Sequence, residues 1–220
     1  MLRTGTVAGR QLHRRVFMGL ALAMLAGTSA AKARDHVETI IFARHGDKPE
    51  QTFGRHDCQG INRAIYLPGV ILRMFGKPDA IFAPDPSTQI SDTGQTANTA
   101  TTDGYMQPLM TVIPAATGFG LPLHADIAVN DIAALQRVLD KPDYRDALIL
   151  VGWEHKFAEE AARNLLAAHG GDADLVPEWQ ERDFDSLYVV TITRSGASES
   201  ARFAQRRQGM DDPPSGCPFG

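Results

Sequence analysis

Residues 40–49 read Ile40-Ile41-Phe42-Ala43-Arg44-His45-Gly46-Asp47-Lys48-Pro49, an apolar run that stops at a cation, an imidazole and a glycine. Counted from Val37, the run has the length of a strand. Comparable runs recur at 80–83, 147–152 and 187–192, with a weaker one at 122–125. Between them lie segments with helical spacing. In 61–75 the residues Ile61, Ile65, Leu72 and Phe75 fall in step, with Pro68 as a kink. A shorter helix is predicted at 110–117 around Pro114, and another runs from a cap at Asn130 or Asp131 to Leu139, ahead of Lys141-Pro142. The clearest helix is 156–169, where Phe157, Ala161, Leu165 and Ala168 form one stripe before Gly170-Gly171. Strand and helix thus alternate, which predicts an α/β fold with a mostly parallel sheet covered by helices on both faces.

Ligands of such sheets bind beyond the carboxyl ends of the strands. Two strand ends that close on a histidine therefore belong together: Phe42-Ala43-Arg44-His45-Gly46 and Leu150-Val151-Gly152-Trp153-Glu154-His155. If the two strands are parallel neighbours, both imidazoles face one crevice. His45 there can attack phosphorus and form a phosphohistidine that water then cleaves. Arg44 can offer two-pronged hydrogen bonds to phosphoryl oxygens, and Gly46 lets the backbone turn close to the ligand. His155 can donate to the same oxygens and stabilise the charge of an in-line transition state. The bland alternative is a chance Arg-His-Gly at a turn, against which the paired strand ends weigh.

A strand leading into Arg44-His45-Gly46, with a second strand-terminal histidine about 110 residues later, resembles the histidine phosphatase superfamily, the phosphoglycerate-mutase-like fold. The resemblance spans roughly 37–193. Within it Cys58-Gln59-Gly60-Ile61-Asn62-Arg63-Ala64, Lys77-Pro78-Asp79-Ala80-Ile81-Phe82-Ala83, Trp153-Glu154-His155 and Phe184-Asp185-Ser186-Leu187-Tyr188 are similar to a bacterial, exported subgroup. The resemblance implies a three-layer α/β/α fold and phosphomonoester transfer through His45. Arg44 would be the first phosphate-binding arginine and His155 the second histidine; no metal or other cofactor is implied. The second arginine is expected in Tyr105-Met106-Gln107-Pro108-Leu109-Met110-Thr111, where this chain has Gln107. Glutamine keeps a donor but lacks the charge and the fork, so phosphate affinity should fall. Arg63 or Arg55 can fill the gap, although Arg63 reads equally as a solvated helix cation.

The proton donor stays open among Glu154, Asp47 and the acids of 87–103. Neighbours on a strand face opposite ways, so only one of Glu154 and His155 should enter the pocket unless the chain bends there. Glu154 otherwise serves the N-terminus of the helix that follows. The function expected is a phosphomonoesterase. The alternative is a protein that retains the fold and binds an anionic ligand or a partner without turnover.

The first 33 residues have the layout of a secretory signal: Arg3, Arg10, Arg14 and Arg15, an apolar stretch at 16–27, then Thr28-Ser29-Ala30-Ala31-Lys32-Ala33. Twelve helical residues reach about 18 Å against a hydrocarbon core of about 30 Å, so a membrane span is not expected. Arg14-Arg15-Val16-Phe17-Met18 resembles a twin-arginine signal, with His13 where Ser or Thr is usual. Residues 34–220 are then a single domain, periplasmic or secreted. Removal of the signal leaves 17 Lys and Arg against 26 acids, a formal charge of −9. That balance argues against nucleic acid and anionic membranes as partners and leaves room for a local basic pocket; a small phosphomonoester or another anion is the partner that the resemblance implies.

An oxidising compartment favours a disulfide between Cys58 and Cys217, tying down the Pro-rich tail 211–220; two free thiols are the other reading. His36, His56, His124 and His169 have no partner that sets them apart from exposed or satisfied histidines, and Trp153 reads as core. No His-x-x-x-His pattern or acidic cluster has metal-ligand spacing.

Overall fold

The apolar run ahead of Arg44 is the strand β1 (His36–Arg44) in a computed structural model that describes Met1 and residues 34–49, 55–88 and 105–218. Among the described residues it is followed by α1 (Cys58–Met74), β2 (Ala80–Pro84), α2 (Gln107–Phe119), β3 (Leu123–Ile127) and α3 (Ile132–Leu139). Then come β4 (Leu148–Trp153), α4 (His155–Ala168), β5 (Ser186–Ser195) and β6 (Ser198–Arg207). The strands form one sheet in the order β3-β2-β4-β1-β5-β6. β1, β2, β3 and β4 are mutually parallel, while β5 and β6 run antiparallel. The expected mostly parallel sheet is present, extended on one side by an antiparallel hairpin.

Side chains on β1 alternate between two cores, as the pleat requires. Ile40 and Phe42 pack in one cluster with Leu135 of α3 and Leu165 of α4. Ile41 and Ala43 pack in another with Leu67 and Ile71 of α1 and Val112 of α2. The result is the three-layer α/β/α architecture.

Three local expectations are corrected. The helical stripe of α1 is not its buried face: Ile65 and Leu72 are 43% and 54% exposed, while Ala64, Leu67, Val70 and Ile71 are buried. α1 carries two apolar stripes, and spacing alone does not say which one meets the sheet. Ala168 of the α4 stripe is likewise exposed, and Ala158, Ala162 and Leu166 are buried instead. β6 has no apolar run to announce it. It pairs along its whole length with β5 through a turn at Ser195-Gly196, with Gly196 at φ +58°, so backbone pairing makes the strand where composition does not.

α1 begins immediately beside the end of β1. The Asp57 carboxylate caps it by accepting from the Gly60 amide at 2.8 Å, and the Asp57 amide donates to the Asp47 carbonyl at 3.2 Å. The C-terminal segment closes on this turn. Cys58 and Cys217 are joined in a disulfide, and the Asn62 amide donates to the carbonyls of Pro214 at 2.7 Å and Gly216 at 2.8 Å. The expected signal, apart from Met1, and most of the polar segment 87–103 lie outside the described residues. No helix among the described residues is long and apolar enough to cross a membrane.

Candidate functional site

β1 and β4 end side by side, as the site requires. Arg44 is in register with Trp153, and the His45 amide donates to the Trp153 carbonyl at 3.2 Å. His45 is buried, with Nδ1 2.9 Å from the Gly46 carbonyl oxygen. A carbonyl only accepts, so Nδ1 carries the ring proton and Nε2 keeps its lone pair. Burial first, and the Arg44 charge second, push the His45 pKa well below its ordinary value, so the ring stays neutral. A neutral imidazole with a free Nε2 is the form a nucleophile needs.

Arg44 is buried beside it. Its Nη1 donates to the carbonyls of Glu181 at 2.6 Å and Gln180 at 3.2 Å, and its guanidinium carbon lies 4.0 Å over the Phe184 ring. Its Nε, also buried, has no hydrogen-bond partner among the described residues. The cation is thus held in place from one side and retains an unused donor.

Glu154 and His155 do not face opposite ways. The strand stops at Trp153, Glu154 is the N-cap of α4 and His155 is its first residue, so the chain bends between them. Glu154 Oε2 accepts from the amides of Lys156 at 2.8 Å and Phe157 at 3.1 Å, which is the helix-terminal role. Its Oε1 lies 2.5 Å from His155 Nδ1. Burial by itself raises the Glu154 carboxyl, but His155 and the two amides outweigh it and hold the pKa below the ordinary value. His155 Nε2 is buried without a hydrogen-bond partner among the described residues. One buried donor, Arg44 Nε, and one buried ring nitrogen, His155 Nε2, are therefore unspent at these neighbouring strand ends.

This arrangement sits in a shared fold. A chain from Nakamurella multipartitia described as a candidate phosphohistidine phosphatase, SixA, superposes over 78% of this chain and 96% of its own, with a TM-score of 0.52 and 11% identity. The protein has the histidine-phosphatase fold. A mycobacterial glucosyl-3-phosphoglycerate phosphatase in complex with inorganic phosphate aligns over 76% of this chain and 95% of its own, with a TM-score of 0.49 and 11% identity. No protein-family model and no curated protein matches the sequence.

Within the histidine-phosphatase fold, the other expected site residues have definite places. Gln107 is the first residue of α2 and is fully buried; its carbonyl accepts from His56 Nε2 at 3.0 Å. Arg63 is 1% exposed and is not a solvated helix cation. Its Nε donates to Asp47 at 2.8 Å, and its Nη1, 3.8 Å from Asp185, has no hydrogen-bond partner among the described residues. Asp47 is thereby occupied, and Arg55 is exposed. Arg63 and Asp47 line a cavity of about 350 Å³ together with Arg182, Asp185, Arg207 and Phe184. Phe184 also meets the His45 ring edge-on at 5.9 Å, so one ring touches both the cavity and the histidine.

Gly46 also serves packing. A Cβ on it would lie 2.8 Å from the Gly60 carbonyl oxygen, so the missing side chain admits the first turn of α1.

Several site residues escaped the sequence. Tyr105 meets the His45 ring edge-on at 6.0 Å, and burial, with Glu154 second, raises its phenol well above the ordinary value. Thr111 accepts from the Gly46 amide, and the buried His56 lies 3.2 Å from the Thr111 hydroxyl. Tyr105 and Thr111 flank Gln107 in the stretch singled out by resemblance, and Phe184 lies in another such stretch. His56 had no local signal; the Asp57–Asp47 backbone bond brings it in. Among the described residues no group of His, Cys, Asp and Glu is placed to hold a metal ion.

Proposed function

We propose that this protein is an exported phosphomonoesterase that works through a phosphohistidine on His45. The observation that carries the proposal is the free Nε2 of a neutral, buried His45 beside the unpartnered Arg44 Nε and His155 Nε2. Buried polar atoms without partners cost free energy; phosphoryl oxygens would satisfy the Arg44 donor, and His155 Nε2 as well when its ring carries both protons. His45 Nε2 attacks phosphorus, the P–O bond to the alcohol breaks, and the alcohol leaves after taking up a proton. Water then attacks the phosphohistidine and restores the Nε2 lone pair. Arg44 and His155 bind the transferring group and stabilise its charge. Glu154 acts through His155 by holding Nδ1, and Arg63 is a further cation one cavity away. Export is supported by the signal layout of residues 1–33 and by the Cys58–Cys217 pairing, since disulfides persist in oxidising compartments.

The test is incubation of residues 34–220 with a panel of phosphomonoesters, followed by acid-quench trapping. An acid-labile phosphoenzyme that His45→Ala abolishes is expected; turnover without it, or none at all, sinks the proposal. Amino-terminal sequencing of exported protein should begin near residue 34, and a start at Met1 would remove the export claim.

A second reading, anion or partner binding without turnover, is favoured by Gln107 standing buried at the start of α2 where the resemblance expects an arginine. Gln107→Arg decides between them. Charge-assisted contacts contribute on the order of 1.5–3 kcal/mol, so the phosphatase reading expects tighter phosphate binding and faster turnover, and the binding reading expects only the first.

A further inference from the structure

Behind His45 runs a chain of hydrogen bonds that the proposed chemistry does not itself use. His45 Nδ1–H donates to the Gly46 carbonyl at 2.9 Å. The Gly46 amide donates to Thr111 Oγ1 at 2.9 Å, and that hydroxyl donates onward to the Gln107 carbonyl at 2.9 Å. His56 Nε2 lies 3.0 Å from the same carbonyl and 3.2 Å from Thr111 Oγ1. Every member is buried.

The directions of these bonds follow from donor and acceptor counting. The Gly46 amide can only donate, so Thr111 Oγ1 accepts from it and gives its own proton to the carbonyl one helical turn back. His56 therefore carries its ring proton on Nε2. Thr111 belongs to α2, which is packed tightly on β4: a Cβ on Gly152 would lie 2.5 Å from Val112 and 3.1 Å from the Pro108 carbonyl. The hydroxyl thus stands on a rigid element, and the residue it grips is the one whose carbonyl selects the His45 tautomer.

We infer that Thr111 is the positioning residue of His45: by clamping Gly46 to α2 it aims the Gly46 carbonyl at Nδ1 and keeps the Nε2 lone pair free. Thr111 touches no reacting atom. Its effect is on the orientation and tautomer of the imidazole, the role the outer partner of a catalytic histidine plays in general. Without the hydroxyl, the Gly46 amide has no acceptor, the His45–Gly46 peptide turns to find one and shifts the adjoining Gly46 carbonyl with it, and the proton redistributes between the two ring nitrogens. The consequence for turnover rests on the phosphohistidine reading; the tautomer does not.

Ring-nitrogen NMR of the full domain with ¹⁵N-labelled histidine separates the two. The His45 signals are assigned by their loss in His45→Gln. Wild type should show His45 protonated at Nδ1 and bare at Nε2, with a Gly46 amide slow to exchange. Thr111→Val, nearly isosteric, should show a mixture of tautomers and form phosphoenzyme about tenfold more slowly with KM little changed; Thr111→Ser should restore both. A wild-type His45 protonated at Nε2, a fast-exchanging Gly46 amide, or a Thr111→Val tautomer like that of wild type overturns the inference. The wild-type measurements decide it even if Thr111→Val does not fold. Unchanged tautomer control in a protein that never forms phosphoenzyme leaves Thr111 in place and removes the phosphatase reading instead.

Discussion

Gly60 stands against Gly46 with no room for a side chain on either: a Cβ on Gly46 would lie 2.8 Å from the Gly60 carbonyl oxygen, and one on Gly60 would lie 2.1 Å from the Asp47 carbonyl oxygen. The residue that follows His45 is thus packed by backbone on backbone. On its other side Thr111 holds it from α2. The loop leaving β1 is clamped between two helices, which is how a loop after a strand end can present His45 in one orientation.

Gly60→Ala should therefore strain both the fold and the site. Overpacking against backbone costs roughly 1–3 kcal/mol, and the displaced loop should lower phosphoenzyme formation in proportion. Gly69, on the same helix with nothing within 4 Å of a Cβ, is the matched control. Gly69→Ala should raise stability by about 0.5–1 kcal/mol. Urea midpoints of the two variants should move in opposite directions.

Burial pushes both His45 and His56 below their ordinary pKa. Between the unfolded value of about 6.5 and the lower folded values, the unfolded chain binds more protons. Stability should thus fall as pH drops through about 6.5, and keep falling until the folded-state rings protonate. Urea titrations between pH 7.5 and 5.5 should show this slope, and His45→Gln should flatten it. A slope that His45→Gln leaves unaltered would count against a neutral buried ring.

Glu154→Ala should remove the cap of α4 at a cost of about 0.5–2 kcal/mol. Its carboxyl is held below the ordinary value, so the contribution is complete above about pH 4.5 and vanishes as pH falls through the lowered folded value. The gap between wild type and variant should be full at pH 7 and closed in strong acid. Because Glu154 also holds His155, phosphate binding should weaken in the same variant at pH 7.

The Cys58–Cys217 bond closes a loop with a sequence separation of 159 and ties the tail to the first turn of α1. Cys217→Ser should lower stability by about 2–4 kcal/mol. Denatured, non-reduced protein should titrate no free thiol from these two residues. Two thiols per chain would refute the pairing.

Much of the architecture was legible because it rests on local pattern. The apolar runs at 37–43 and 147–152 marked β1 and β4, and their ends at Arg44-His45-Gly46 and Glu154-His155 located the crevice, since a parallel sheet has one end where its ligands bind. The cap of α3 was narrowed to Asn130 or Asp131, and Asp131 is the one that accepts the Ala134 amide, at 2.9 Å. What pattern could not decide was anything set by a distant partner. β6 is a strand because β5 pairs with it, and α1 buries Ala64 and Leu67 rather than Ile65 because only one of its two apolar stripes meets the sheet.

The site divides in the same way. Residue types and order were enough to single out His45, Arg44 and His155, because the proposed chemistry restricts which side chains can stand at a strand end; it was the family resemblance that marked Gln107 as a departure. Tertiary structure alone decided that Arg63 is buried against Asp47, that Glu154 caps α4 while gripping His155, and that Gly46 makes room for the first turn of α1. It also brought in Thr111, 65 positions after the Gly46 amide it accepts from, and His56, 51 positions before the Gln107 carbonyl it donates to. A hydrogen bond between residues that far apart in sequence depends on where two elements pack, and packing is a property of the whole chain that no local spacing encodes.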